Sequence, residues 1–174
     1  MNFTIKVATT EENVIDNYLS SDDVINVYIS GIDSRGGINE VSRSDVNIIM
    51  SVNKKTHNIL MINTPRDYYV PLSISNGVRD KLTHAGVYGI ECSRNTLEML
   101  YGIQIDYYVK VNFSGFEKII DSLGGVDVTL DYSATLSQAG NLTVHNGVNH
   151  FNGEQALAFA RERYAYSDGD KTER

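Results

Sequence analysis

Charged side chains follow or open apolar, strand-like stretches at several places in this sequence. Asp33 and Arg35 come after VINVYIS, and Asp45 opens DVNIIMSVN. Arg66 and Asp67 come after NILMI. Because open α/β sheets bind ligands at the ends of their strands, residues in these positions are candidates for a binding site. Taken one at a time, each is more typical of a solvated surface turn.

The residue types match the chemistry of phosphate and Mg²⁺. Guanidinium groups form bidentate hydrogen bonds with phosphate and keep their proton at working pH. Two separate aspartates suit Mg²⁺, which takes one or two carboxylates plus substrate phosphate oxygens. Arg161 and Arg163 add two arginines near the end of the last helical pattern, although residues two apart do not share a helix face. Together these residues predict a local phosphate-plus-metal site.

Composition restricts the class of protein. The chain has 174 residues, 41% of them hydrophobic and 21% charged, which is typical of one globular domain. Its formal net charge of -7 argues against nonspecific nucleic-acid binding. No apolar run has the length of a transmembrane helix, and no signal peptide precedes the fold. Cys92 is the single cysteine, so no internal disulfide is expected. A single cysteine fits both a reducing compartment and an extracellular protein that does not rely on disulfides.

Strand-like stretches alternate with helical patterns along the chain. We predict strands at 3–8, 24–30, 45–53, 58–64, 105–113 and 126–130. We predict helices at 10–19, 84–102, 114–123 and 153–165. This order predicts an α/β fold, in which a mixed central β-sheet is flanked by helices on both faces of a single domain.

Several local features sharpen these expectations. KKTH suits a hairpin between the strands at 45–53 and 58–64, and NILMI is typical of a strand buried on both faces. The polar stretch 65–82 is expected to be a loop outside the core. Thr96 is a plausible helix N-cap. The stretch 140–153 is expected to be a loop or a weak hairpin. No Walker loop, Gly-x-Ser-x-Gly elbow or Cys/His cluster occurs.

Several long motifs resemble those of the LytR-CpsA-Psr family in order and spacing. They are GIDSR, RSDVNIIMSVN, INTPRD, IDYYVKVNFSGF, IDSLGGVDV and FNGEQALAFARER. The resemblance implies an enzyme on the extracytoplasmic face of the bacterial cell membrane, anchored by an N-terminal helix. Such an enzyme moves an anionic glycopolymer, of the teichoic acid or capsule type, from a polyprenyl-pyrophosphate carrier to peptidoglycan. We expect a lead-in over 1–23 and a catalytic domain over 24–174, with a C-terminal end that is trimmed relative to the family.

The resemblance also implies roles for particular residues. Asp33 and Asp45 match the pair that binds Mg²⁺. The residues expected to bind pyrophosphate are Arg35, Arg66, Lys81, Arg161, Arg163, Asp170 and Arg174, with Asp168 as an alternative to Asp170. The residues expected to serve catalysis are Asp33, Arg66, Arg161 and Arg163. Asp67 is expected to orient the neighbouring guanidinium groups. Thr83 stands where the family pattern has asparagine.

An apolar slot for the prenyl tail is a further expectation. Its expected walls are Leu97, Leu100, Val109, Val111, Phe116, Ile119 and Ile120, each of which ordinary core packing explains equally well. Two alternatives to the transferase stay open. One is a polyprenyl-pyrophosphate hydrolase, an activity that a transferase of this kind could also show on the side. The other is a cell-envelope regulator or binding protein without catalysis.

Overall fold

A computed structural model describes residues 4–6, 22–34, 36–136 and 140–162 of the chain. Contacts divide the chain into two units, Met1–Asn112 and Phe113–Arg174. Among the described residues, none of the helices is both long and apolar enough to cross a membrane. The expected helix at 10–19 lies outside the described residues.

The first unit is built on a five-stranded mixed sheet. Its strands are β1 (Thr4–Lys6), β2 (Val24–Ile32), β3 (Ser44–Asn53), β4 (Asn58–Asn63) and β7 (Tyr107–Val111), in the order β1-β4-β3-β2-β7. β3 is antiparallel to both β2 and β4, whereas β1 and β7 run parallel to their neighbours. The predicted α/β class with a mixed central sheet is therefore confirmed, and so is the hairpin at KKTH.

One face of this sheet carries the core of the first unit. Tyr28 and Ile49 face each other across β2 and β3, and both are fully buried. The helices α1 (Leu82–Ala85) and α2 (Ile90–Tyr101), joined by a 3₁₀ turn at Gly86–Tyr88, supply apolar side chains to the same cluster. Leu97 is fully buried in it. On the opposite face of β4, Met61 is 43% exposed, so the prediction of burial on both faces was wrong.

The stretch 65–82 is not a loop outside the core. It forms an antiparallel hairpin of β5 (Tyr69–Pro71) and β6 (Arg79–Lys81). Val70 and Leu72 on this hairpin are buried in the core of the first unit. The prediction failed because strands of three residues offer too few apolar residues to form a recognisable pattern.

The expected cap at Thr96 was also wrong. Gly89 occupies the N-cap of α2, with φ of 104°, a conformation that glycine adopts at little cost. Thr96 lies inside the helix instead, almost completely buried. Its hydroxyl oxygen accepts a hydrogen bond from the Ser73 backbone N–H at 3.0 Å, which ties the β5–β6 hairpin to α2.

The second unit combines two helices with two strand pairs. Its elements are α3 (Phe113–Ser122), β8 (Val126–Leu130), β9 (Ala134–Leu136), β10 (Leu142–Val144), β11 (Gly147–Phe151) and α4 (Gly153–Arg161). β8 pairs with β11 and β9 pairs with β10, both antiparallel, so the expected weak hairpin consists of strands that pair elsewhere. Asn152 and Gln155 form a capping box that fixes the start of α4.

A charged pair spans β8 and β11. His150 lies directly opposite Asp127, and its Nδ1 is 2.7 Å from Oδ1 of that carboxylate. The hydrogen bond to Asp127 raises the pKa of His150 above its usual 6.5, and the Gly124 carbonyl adds to this effect. Because the folded-state pKa is raised, the pair stabilises the fold fully below pH about 6.5, and this contribution is lost as pH rises through the folded value.

We therefore expect His150→Gln to reduce the pH dependence of stability. Thermal midpoints measured between pH 5.5 and 8.5 should show the wild type gaining on the variant toward the acid end of the range. His145→Gln, in the turn before β11, is the matched control and should keep the wild-type profile. A His150→Gln profile parallel to that of the wild type contradicts the assignment.

Candidate functional site

A β-bulge places the Asp45 carboxylate. In the β2–β3 register Gly31 pairs with Val46 and Ile32 pairs with Ser44, so Asp45 is the extra residue between two paired positions. Bulges redirect side chains and are common beside active sites. Gly31 is required at this point, since a Cβ there would lie 2.8 Å from the Cβ of Val46.

Asp33 lies at the same end of the strand pair. It follows Ile32, the last residue of β2, while Asp45 lies at the start of the antiparallel β3. Asp33 is exposed, and the side chain of Asp45 is 25% exposed. Within the described ranges no group of three or more His, Cys, Asp or Glu residues could hold a metal ion. The expectation that Asp33 and Asp45 bind Mg²⁺ stays a prediction, which rests on two carboxylates at one strand end and on the tendency of Mg²⁺ to complete its shell with water and phosphate oxygens.

Asp45 is held by two donors from other elements. Nη1 of Arg66 and the Thr83 hydroxyl both donate to Oδ1 of Asp45, each at 3.2 Å. The Thr83 backbone N–H also donates to the Arg66 carbonyl at 2.9 Å. The start of α1 therefore contacts both partners of the Asp45–Arg66 pair.

The charged pairs continue along the β5–β6 hairpin. Nε of Arg66 is 3.6 Å from Oδ2 of Asp67, and Nζ of Lys81 is 2.7 Å from Oδ1 of the same carboxylate. The hydrogen bond from Lys81, and secondarily the charge of Arg66, hold the pKa of Asp67 below its usual value. Asp67 therefore stays ionised at neutral pH and holds two cations together. We call Asp45, Arg66, Asp67 and Lys81 the charge chain.

Arg161 occupies the last turn of α4 in the second unit. Its guanidinium carbon lies 4.5 Å from the centroid of the Phe113 ring. A stacked guanidinium uses its flat face on the ring, which leaves the N–H donors in its plane available to an anion. Arg66 and Arg161 belong to different units, and their expected convergence stays a prediction. Arg35, Arg163, Asp168, Asp170 and Arg174 lie outside the described residues.

A buried polar layer supports the strand end that carries Asp45. The Tyr28 hydroxyl donates to Oδ1 of Asn47 at 2.7 Å, and Nδ2 of Asn47 donates to the Ser44 carbonyl at 3.1 Å. Burial raises the pKa of the Tyr28 phenol above its usual value, despite nearby serine hydroxyls, so it stays a neutral donor. These two hydrogen bonds therefore hold the backbone next to Asp45 from its buried side.

Gly86 contributes to the site in a way that sequence reasoning missed. A Cβ at this position would lie 2.6 Å from the Ser44 nitrogen and 2.7 Å from the Ser42 carbonyl oxygen. The turn after α1 therefore packs directly on the backbone that leads into β3. This glycine lies within the single helix predicted at 84–102, whereas the structure divides that stretch into α1, the 3₁₀ turn and α2. The glycine in THAGVYG was the signal, but it did not identify what the turn approaches.

We expect Gly86→Ala to destabilise the protein by about 1–3 kcal/mol, because the added methyl group would meet backbone that cannot move aside freely. Unfolding in urea measures this change. Gly37→Ala is the matched control, since a Cβ there meets nothing within 4 Å. Equal stability of the two variants contradicts the close approach at Gly86.

The comparisons with known proteins agree on one family. The chain is 34% identical over 157 residues to the polyisoprenyl-teichoic acid–peptidoglycan teichoic acid transferase TagU of Bacillus cereus, covering 87% of this chain and 48% of that protein. It is 34% identical over 175 residues to the corresponding transferase TagT of Bacillus subtilis, covering 94% and 54%. The chain thus spans about half the length of these curated relatives.

A solved structure extends the similarity to the fold. The LytR-CPS2A-psr family protein YwtF (TagT) of Bacillus subtilis, with bound octaprenyl pyrophosphate lipid, matches with a TM-score of 0.70 and 34% identity. The match covers 82% of this chain and 58% of that one. The model of the LytR_cpsA_psr family matches residues 2–174. The chain therefore belongs to the LytR-CpsA-Psr family.

Proposed function

We propose that this protein transfers an anionic glycopolymer, of the teichoic acid or capsule type, from a polyprenyl-pyrophosphate carrier to peptidoglycan. The observation that carries the proposal is the charge chain at the strand end that bears Asp45. Its arginine and lysine are held by carboxylates at 2.7–3.6 Å. Similar proteins are named as transferases of this kind, and one of them was solved with octaprenyl pyrophosphate.

Charge balance favours a divalent cation in the same site. The charge chain holds two carboxylates and two cations, so it is neutral overall. A pyrophosphate carries several negative charges, and it needs additional positive charge close by. Mg²⁺ held by Asp33 and Asp45 would supply that charge and polarise the phosphate oxygens. Arg66, released from Asp45, would then donate to phosphate.

The reaction follows from this placement. A sugar hydroxyl of peptidoglycan attacks the phosphorus that bears the glycopolymer, and its proton passes to a nearby carboxylate, such as Asp33 or Asp45, or to water as a new P–O bond forms. The P–O bond of the pyrophosphate bridge breaks, and polyprenyl phosphate leaves. Arg66 and Lys81 bind the phosphate oxygens and stabilise the charge that develops on them, and Asp67 keeps both side chains oriented. Arg35, Arg161 and Arg163 are the further pyrophosphate-binding arginines that the family resemblance implies.

The prenyl tail requires an apolar surface beside the head group. Each buried methylene stabilises the complex by about 0.8 kcal/mol. Leu97 is a poor wall for such a slot, because it is fully buried within the core of the first unit. Val109 is 45% exposed and Ile119 is 47% exposed, so each offers apolar surface within its own unit. In this proposal the protein works at the extracytoplasmic membrane surface, where the peptidoglycan acceptor lies, and an N-terminal anchor would attach it there.

The transfer reaction is tested by product analysis. The protein is incubated with polyprenyl-pyrophosphate-linked teichoic acid precursor and Mg²⁺, with and without peptidoglycan acceptor. We expect polymer–peptidoglycan product only when the acceptor is present, and polyprenyl phosphate to form faster with the acceptor than without it. Arg66→Ala should lower turnover by about ten- to a hundredfold, because a hydrogen bond to a charged group contributes roughly 1.5–3 kcal/mol.

Arg79→Ala is the matched control, since Arg79 is an exposed arginine of the same hairpin and lies outside the charge chain. Lipid pyrophosphate cleavage at the same rate without acceptor identifies a hydrolase instead. Binding without turnover under all conditions identifies a regulator or binding protein.

A further inference from the structure

Thr83 joins the two partners of the Asp45–Arg66 pair by separate bonds. Its hydroxyl donates to Oδ1 of Asp45 at 3.2 Å, and its backbone N–H donates to the Arg66 carbonyl at 2.9 Å. The next bond along the same helix start runs from the Leu82 N–H to the Tyr68 carbonyl at 2.8 Å. These bonds fix the backbone on both sides of Asp67 against α1.

Burial makes the hydrogen bond from the Thr83 hydroxyl to Asp45 more effective than a contact at the surface. Thr83 is 5% exposed, whereas the Arg66 side chain is 44% exposed. An exposed arginine alone would hold Asp45 weakly, because solvent screens the pair and the side chain has many rotamers. A threonine side chain in a helix is β-branched and has few rotamers, so the position of its hydroxyl is well defined. The hydroxyl is therefore the better-defined of the two donors to Asp45.

The packing around α1 keeps Thr83 in place. Leu82, directly before it, and Ala85, two residues after it, are fully buried in the core of the first unit. Gly86, which follows, packs on the backbone of Ser42 and Ser44. These contacts fix the distance between α1 and the start of β3. The Thr83 hydroxyl bridges that distance by its hydrogen bond to Asp45.

We propose that Thr83 is a positioning residue, which sets the orientation of the Asp45 carboxylate on the bulge and the location of Arg66 relative to it. This inference rests on the proposed function for its consequence, because an oriented Asp45 is needed to bind Mg²⁺ and a located Arg66 is needed to bind the pyrophosphate. The hydroxyl keeps Asp45 in place when Arg66 moves to the phosphate. Thr83 acts through these two residues and does not itself contact the reacting atoms.

The first experiment needs no ligand. In a double-mutant cycle, thermal midpoints are measured for Thr83→Val, for Asp45→Ala and for the double variant. Because the two residues share a bond, the loss in the double variant should be smaller than the sum of the single losses. Thr96→Val combined with Asp45→Ala is the matched control. Thr96 is a buried threonine that also loses a hydrogen bond, but away from the site, so its losses should add.

The second experiment measures binding of octaprenyl pyrophosphate in the presence of Mg²⁺. Thr83→Val should weaken binding about tenfold, the effect of losing one hydrogen bond to a charged group. Thr83→Ser, which keeps the hydroxyl, should bind nearly as the wild type does, and so should Thr96→Val. Rescue by serine separates a positioning role from a general loss of stability.

The two experiments test the positioning role of Thr83 and the proposed function separately. Additive midpoints in the Thr83–Asp45 cycle overturn the positioning role, whatever the ligand does. The role is also overturned if the cycle shows coupling but Thr83→Val binds octaprenyl pyrophosphate as tightly as the wild type. The hydrogen bond between Thr83 and Asp45 then has no consequence for the site. A wild-type protein that does not bind octaprenyl pyrophosphate overturns the proposed function, while the cycle still decides whether Thr83 holds Asp45.

Discussion

The bulge that carries Asp45 is the constraint on which the rest of the site depends. It forms where Gly31 allows β2 to lie against Val46 without a clash, and it turns one carboxylate out of an otherwise regular ladder. Asn47 holds the neighbouring Ser44 backbone from the buried side, and Gly86 packs on that backbone from α1. Since protein interiors are close-packed, a displacement at any of these contacts would move the carboxylate.

Local neutrality is the second property of the site. Each cation of the charge chain lies against a carboxylate, so neither needs a ligand to be stable. A ligand must therefore replace these ion pairs, and it can do so only by offering each charged group a stronger interaction. In the proposed function a pyrophosphate with Mg²⁺ would do this, because the cation would suit the aspartates and the phosphates would suit Arg66 and Lys81. The arrangement disfavours binding of a simple anion alone.

Much of the fold and part of the site could be predicted from the sequence. β2, β3 and β4 have clear apolar patterns, and Asp33, Asp45 and Arg66 lie in recognisable motifs beside them. The β5–β6 hairpin was missed, because strands of three residues carry too little pattern to distinguish them from a loop. The contacts of Thr83 and Gly86 could not be predicted, since they join residues about forty positions apart whose approach only the packing of α1 on β3 determines.

The central claim is that the charge chain binds the head group of a lipid pyrophosphate, and a crystal structure of the protein with octaprenyl pyrophosphate and Mg²⁺ tests it most directly. We expect phosphate oxygens within hydrogen-bonding distance, about 2.7–3.2 Å, of Arg66 and Lys81, and a cation bound by Asp45 in place of the arginine. A pyrophosphate bound elsewhere, with the 3.2 Å contact between Arg66 and Asp45 unchanged, would contradict the account.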